Sequence, residues 1–584
     1  MLENRNTILA VILSGLVLIA WQYFYNIPAM EKQRAAQQAA ELQKKAAPQQ
    51  PNAQASPTST PPQAGNAPAP TPATPVAANA PTVDREAAIE GSPRVKIETP
   101  SVIGSISLKG ARIDDLSLVK FRETVDPNSP PIVLYSPSGT ANPYYAEFGW
   151  VPATGSTVRL PDQNTVWQQE SIGALTPSSP AVLKYDNGEG LTFRRTISVD
   201  DRYLFTIKDE VTNTGNAPVT LYPFALISRH GTPQVSGYYI LHEGLIGYLG
   251  DNGLKEFTYK KMDDEKNVNL KATNGWLGIT DKYWASALLP DTSANLQARF
   301  SSNLVGTVHT YQTDYLEDPQ TIAIGGTGGV STRLFAGAKE ANVVGLNFWV
   351  FGPGGYNKQL ELNHFDLLID WGYFYFITKP MFLGLDWFYR LVGNFGIAIL
   401  LLTAIVKLIF FPLANKSYAS MAKMKAIQPQ LTAMRERYPD DKVKQQQEMM
   451  ELYKKEKINP LAGCLPMVVQ IPVFISFYRV LLESVEMRQA PFLLWINDLS
   501  SRDPFFVLPL LMGAAMFAQS KLNPPSADPM QAKILQFMPL VMTGMMAFFP
   551  SGLTLYWLTN TVLSMAQQWR VNTVVEAEAA KARA

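Results

Sequence analysis

Residues 393–412, GNFGIAILLLTAIVKLIFFP, restrict what this chain can fold into more than any other stretch. About 20 nearly all-apolar residues, at ~1.5 Å of rise each, match one crossing of a ~30 Å hydrocarbon slab. Within the run stands Lys407, about one and a half helical turns before Pro412, which reads as the end of the helix. A charge at mid-membrane costs roughly 2.5–3.5 kcal/mol on insertion scales. Such a lysine either marks a functional site or snorkels, its four-carbon stem lifting the ammonium to the headgroups. From this residue by itself the two readings stand side by side.

The 584 residues exceed one domain, and a formal charge of +1 gives no field pointing to nucleic acid or acidic substrates. The single cysteine, Cys464, excludes an intramolecular disulfide and a thiolate metal cluster. Near the N-terminus an apolar run, 8–20, is followed by Trp21, Tyr23, Phe24 and Tyr25. Bulky aromatics where a cleavage site would need small residues favour an uncleaved transmembrane anchor in 1–27 over a signal peptide. Residues 28–82 are rich in Ala, Gln and Pro, with almost no large apolar side chain after Leu42, and read as a disordered tether.

From 83 to 345 the texture is short alternating runs (95–97, 105–108, 192–197, 203–211, 219–224) separated by turn signals such as Asn187-Gly188 and Asn252-Gly253. This predicts a large antiparallel β-sandwich. Catalytic patterns there are incomplete. His242-Glu243 opens an HExxH, but Ile246 holds the second histidine's place, and residues 325–329 lack the Lys-Ser/Thr of a phosphate loop. A binding or spacing module is expected, with no enzyme activity, metal or cofactor.

Residues 346–385 form a connector, in which 360–381 reads as an interfacial amphipathic helix or as a plain linker. The core, 386–569, holds five apolar segments: 393–412, 463–482, 504–519, 534–549 and 551–569. With the anchor this makes six crossings. Between the first two lies a basic stretch, 415–459. Met421, Met424, Ile427, Leu431 and Met434 recur at helical spacing on one arm, with Met449, Leu452 and Tyr453 on the other. It predicts a helical hairpin, kinked at Pro429, whose surface is a solvated coiled coil open to docking. As the most basic short loop it is expected in the cytoplasm. The β-domain then lies outside, with both termini and the tail 570–584 inside. The fold class is thus multi-domain: a polytopic α-helical membrane core with an anchor helix, a large antiparallel β-sandwich on the periplasmic side, and a cytoplasmic helical hairpin.

Three features of the core ask for a common cause. Segments 504–519 and 534–549 are short, about 16 residues or ~24 Å, which thins or distorts the surrounding bilayer. Methionines line them, including Met512, Met516, Met542 and Met545, and flexible thioethers suit a surface that must accept many apolar sequences. Polar groups recur at membrane depth: Thr403, Lys407, Gln470, Ser476, Gln519, Thr559 and Asn560. They either bridge helices or line a wet, half-membrane-deep groove beside a methionine-rich slide.

Longer motifs carry a resemblance. Residues 459–466 (NPLAGCLP), 470–474 (QIPVF), 488–492 (RQAPF) with Trp495-Ile496, 528–531 (DPMQ) and 549–553 (FPSGL) resemble the signature of the YidC membrane-protein insertases. Residues 275–278 (GWLG) and 281–284 (DKYW) resemble the form of that family found in double-membraned bacteria. The resemblance implies an inner-membrane insertase and chaperone working alone or with the Sec translocon and its accessory subunits. It also implies a galactose-mutarotase-like sandwich without sugar chemistry, and a five-helix core around a groove open to cytoplasm and lipid. Thr403 matches the family's groove threonine, and Lys407 stands where the family has arginine, keeping the charge but losing the bidentate fork. The family's aromatic substrate contacts fall on Tyr556 and Trp557. Expected partners are nascent membrane proteins, the Sec translocon, the lipid bilayer, and ribosome or targeting factors through the hairpin, with no specific nucleic-acid sequence. The rival readings are a solute transporter with an anion on Lys407, for which no internal repeat is found, and an anchored carbohydrate-active enzyme, which leaves the helical half unexplained.

Overall fold

A computed structural model describes residues 83–234, 241–346, 354–438, 441–456, 465–523 and 529–583. The expected anchor and tether lie outside the described residues. The first half is a sandwich of two antiparallel sheets, of ten and nine strands, over one apolar core. The alternating runs fall, to within a residue at either end, on the strands Arg94–Glu98, Val102–Ser107, Leu191–Val199, Leu204–Asn213 and Val219–His230. Asn187-Gly188 turns between Ala181–Asp186 and Leu191–Val199, where Gly188 takes φ +70°, a value that costs glycine little.

Strand Leu191–Val199 shows how period-two patterning sets the core and where it breaks. Leu191, Phe193, Ile197 and Val199 point inward as hydrophobes, but the fifth inward residue is Arg195, 1% exposed. Its guanidinium donates to both carboxylate oxygens of Asp209 at 2.7 Å, and also to the carbonyls of Phe148 (2.7 Å) and Ala111 (3.2 Å). The last two belong to the opposite side of the sandwich, so one buried cation ties the two sheets.

The expected amphipathic helix over 360–381 does not form as read. Residues 354–374 hold only a short helix, Gly355–Gln359, and a 3-10 turn, Phe365–Leu368, and pack on the sandwich: the Trp276 indole donates to Asn363 O at 3.0 Å, and Phe365 sets its ring edge-to-face against Trp276 and Phe335. Glu361 and His364 take φ of +53° and +54°, which interrupts any helix. Aromatics that look like a lipid-facing stripe have a protein core to fill. The longer helices, all C-terminal to the sandwich, are α1 (Tyr375–Val392), α2 (Phe395–Ala426), α3 (Gln428–Arg437), α4 (Lys442–Lys455), α5 (Leu465–Glu483), α6 (Val507–Ser520), α7 (Pro529–Met546) and α8 (Ser551–Arg583). Helix α1 runs across the expected boundary at 385/386.

Pro412 does not end its helix. Helix α2 continues through it for 14 further residues, to Ala426. Proline withdraws one backbone donor, and neighbouring α8 braces the site: the Gln567 amide donates to Phe411 O (3.1 Å) and to Asn415 Oδ1 (2.7 Å). Pro429 sits instead in the first turn of α3, where its missing N–H is not needed, so the chain breaks at Ile427 rather than kinking. Ile427, Leu431 and Tyr453 bury together, with Met424, Met434, Met449 and Leu452 against them. Residues 570–583 extend α8 and are not a separate tail. Among the described residues α2 is the one helix long and apolar enough to cross a membrane, while Val507–Ser520 and Ala532–Met546 are shorter apolar helices. At ~1.5 Å per residue the 14 residues of α6 span ~21 Å, short for a bilayer.

The loop between α5 and α6 fixes where two helices begin. Asn394 caps α2, accepting from Ile397 N (3.0 Å), and its amide donates to Phe492 O at 2.9 Å. A side chain at Gly396 would collide with the Phe492 ring, so only glycine lets the loop sit this close. Ser551 N and Gly552 N at the start of α8 donate to Ser501 O (2.7 Å) and Leu499 O (2.9 Å) of the same loop. The loop also reaches the sandwich, where Glu486 accepts from Ala341 N at 2.8 Å. Burial pushes the Glu486 carboxyl up to about 8.

Two outcomes follow from these contacts. Asp209→Ala strands the Arg195 charge in the core and should cost about 3–5 kcal/mol, read as a lowered unfolding midpoint of the full chain in denaturant; an unchanged midpoint contradicts the inter-sheet role. For Glu486 the folded value lies above the unfolded one, so its stabilising contribution is full below about pH 4.5 and is lost as pH rises through about 8. Glu486→Gln should flatten the fall in Tm across that window, and a parallel fall in both proteins refutes this.

Candidate functional site

Helices α2 and α8 start from one loop and run the same way. Lys407 is 12 residues beyond Phe395 and Ser564 is 13 beyond Ser551 (407 − 395 and 564 − 551), so the two positions lie at nearly the same depth. That depth is ~18 Å from the shared loop at 1.5 Å per residue. Lys407 Nζ donates to Ser564 Oγ at 2.6 Å, and Ser564 passes its own hydrogen to Asn560 O at 2.7 Å. The ammonium therefore stays level with its own backbone and is not lifted toward a helix end. Snorkelling, open from the sequence, is not the conformation found.

Beside the ammonium is a narrow cavity of about 30 Å³ between α2 and α5, lined by Lys407, Phe410, Tyr418, Val469, Gln470 and Val473 among others. It has room for about two waters. This recess lies where the sequence leads one to expect a half-membrane-deep groove. Gln470 of α5 donates to the Tyr556 hydroxyl of α8, which ties the α5 wall to α8. Of the expected groove residues, Lys407 and Gln470 share the cavity. The others are not among the residues lining it. Thr403 is 1% exposed and donates to Ile399 O of its own helix at 2.6 Å. Thr559 does the same to Leu555 O (2.7 Å), and Asn560 serves through its carbonyl. Ser476 is fully buried, its hydroxyl without a hydrogen-bond partner among the described residues. Gln519 is half-buried near the end of α6.

The expected slide divides. Met512 is fully buried and Tyr556 is 2% exposed, its ring stacked on Phe477 with centroids 4.3 Å apart. Neither can touch a passing chain in this conformation, because α6 packs its inner methionine face against α8. Met516 and Met542 are half-buried. Trp557 is half-buried with its ring edge-on to Phe474, while Met545 is open, as are Leu510, Phe517, Leu540 and Val541 on α6 and α7. The apolar face available outside the bundle is thus more leucine, valine and phenylalanine than methionine.

Two polar features were missed in the sequence. One continues from Lys407 along α8: Gln567 bonds Asn415 of α2, and the next residue, Gln568, donates at 2.9 Å to Asn523, just past the end of α6. The other is Arg479 in α5, 7% exposed and paired at 2.9 Å with both Asp370 and Glu483. Its signal was an Arg and a Glu at i and i+4 around the end of an apolar run.

The sequence matches two family profiles, the YidC periplasmic domain over residues 94–383 and the 60Kd inner membrane protein over residues 387–578. It is 70% identical to the membrane protein insertase YidC of Bradyrhizobium diazoefficiens over 97% of this chain and 96% of that one. It is 67% identical to the same protein of Nitrobacter hamburgensis over 97% and 95%. A crystal structure of an active YidC insertase with its first transmembrane domain resolved aligns over 81% of this chain and 91% of that one, at 18% identity and a TM-score of 0.34.

Burial separates the methionines in a way that can be measured. A lipid-soluble, photoactivated carbene reagent, which needs no ionised group, should label Met545 while Met512 stays unlabelled until the protein is denatured. Equal labelling of the two would refute the packing of α6 against α8.

Proposed function

Because this chain belongs to the YidC family of membrane protein insertases of the bacterial inner membrane, we propose that Lys407 is the group that draws the polar flank of a nascent chain into the bilayer. The observation that carries this reading is the Lys407 ammonium held at mid-span against Ser564, beside a cavity with room for water. An acidic side chain reaching the mouth of that recess would meet a cation at a few ångströms. At 4 Å and an effective dielectric constant of about 20 the attraction is about 4 kcal/mol. The cost of placing an aspartate at mid-membrane is roughly 2.5–3.5 kcal/mol on insertion scales. The two are of one size, so a single cation suffices to offset the entry of one acidic group. Lysine serves here as a point charge and needs no bidentate fork.

The neighbouring apolar segment then leaves along the exposed face of α6 and α7 into lipid, driven by burial of apolar surface. No bond is made or broken. In this account the hairpin of α3 and α4 and the end of α8 lie in the cytoplasm, where they meet ribosome or targeting factors, and the sandwich lies in the periplasm. Thr403, Ser476, Gln519, Thr559 and Asn560 act by holding helices in register, with Met516, Met542, Met545 and Trp557 nearer the exit path. Met512 and Tyr556 enter only if α8 separates from its neighbours. Work beside the Sec translocon is part of the same proposal.

Insertion into proteoliposomes tests the charge role. Lys407→Glu should lower insertion of a single-span substrate with an acidic flank about tenfold or more, as replacing attraction by repulsion implies, and leave a neutral-flank substrate close to wild type. Lys407→Arg should retain both. Equal insertion of the acidic substrate by wild type and Lys407→Glu would end this reading.

A further inference from the structure

A second polar pocket, of about 400 Å³, lies where the sandwich meets the loop that caps α2 and α8, and its lining includes Lys120, Arg122, Thr124, Asp126, Gln489 and Asn497. Its two walls are stitched together. The Gln489 amide donates to Arg122 O and the Arg488 guanidinium to Glu123 O, each at 3.2 Å. Arg488 also stacks over Trp284 at 5.3 Å, and Trp284 meets the Phe121 ring edge-on at 5.7 Å. The pocket is therefore a built feature of the junction. The Lys120 and Arg122 side chains are exposed at its rim.

Its level along the molecule is set by the same loop. Phe492 O is bonded to the cap residue of α2, so Gln489 and Asn497 sit at the end of the long apolar helix, where a hydrocarbon layer would give way to headgroups. The loop tip beside them exposes Leu493 (54%) and Leu494 (86%), and the facing hairpin of the sandwich exposes Val125. Apolar side chains at that height belong among acyl chains, and the cations just above belong at the phosphate layer.

We propose that this pocket binds the headgroup of one phospholipid in the leaflet on the sandwich side, its phosphate between Lys120 and Arg122 and a primary ammonium at Asp126. Lys120 and Arg122, whose Nη1 already donates to Ser129 O at 2.6 Å, still offer charged donors that fit a phosphodiester. The Asp126 carboxylate accepts from Asn128 N at 2.8 Å through one oxygen; its other oxygen, beside the cations, fits a headgroup that carries its own amine, so phosphatidylethanolamine is the species favoured. The inference rests on the membrane placement of the helices and is independent of the charge role of Lys407.

The full chain, purified in detergent and offered equal amounts of phosphatidylethanolamine, phosphatidylglycerol and phosphatidylcholine, is read by native mass spectrometry. Wild type should retain one phosphatidylethanolamine at about threefold preference, the size an exposed charge pair gives. Lys120→Gln with Arg122→Gln should carry one lipid fewer, Lys120→Gln alone should weaken its retention, and Asp126→Asn should erase the headgroup preference while keeping the lipid. Equal lipid counts in wild type and the double variant, no headgroup preference in wild type, or displacement of the lipid by millimolar inorganic phosphate would each overturn the proposal.

Discussion

A lysine ammonium bonded to a serine hydroxyl across two helices, at a depth where a bilayer holds little water, is the contact on which the helical half depends. It fixes the relative rotation of α2 and α8, because each side chain reaches the other only if both face the same seam. It also depends on where those helices start. The α5–α6 loop sets both starts in one layer, through Asn394 with Phe492 and through Ser551 and Gly552 with Ser501 and Leu499. A shift of one residue in either helix would turn one partner by about 100° and leave a charge facing hydrocarbon.

The two halves solve the problem of buried charge differently. In the sandwich, Arg195 has a full complement of partners, a bidentate carboxylate and two carbonyls, and the result is a fixed joint between sheets. Near the membrane boundary Arg479 is held likewise by Asp370 and Glu483. Lys407 has one neutral hydroxyl and a cavity. A cation so lightly held in protein can exchange that hydroxyl for another acceptor at small cost, which the paired arginines cannot. Among the described residues the arginines are held by several acceptors and Lys407 by one, and the proposed role of Lys407 draws on that contrast.

Much of the architecture was legible in the sequence. Period-two runs gave the strands, and the 3–4 spacing from Met424 to Met434 gave the arm that packs on Tyr453. What failed had tertiary causes. Pro412 reads as a terminator by local rules, but α8 runs alongside and carries α2 through it. The aromatics of 360–374 read as a membrane-surface stripe because their true partners, Trp276 and Phe335, are distant in sequence. Burial of Met512 depends on which face of α6 meets α8, and exposure of Met545 on which face of α7 meets α6, which composition does not encode. The residue types at the site were readable; their separation into cavity wall, packing and lipid face was not.

The central claim is that Lys407 faces water from within the membrane, and an electron spin-echo measurement of bound deuterium addresses it directly. With Cys464 replaced by serine, a nitroxide is placed at Lys407→Cys or at Ile405→Cys, two residues away on the exposed side of α2, and the protein is reconstituted in lipid in heavy water. The account predicts strong deuterium modulation at 407 and little at 405. Equally weak modulation at both positions would mean that the ammonium lives in a dry bundle, and the proposed path for polar segments would not exist.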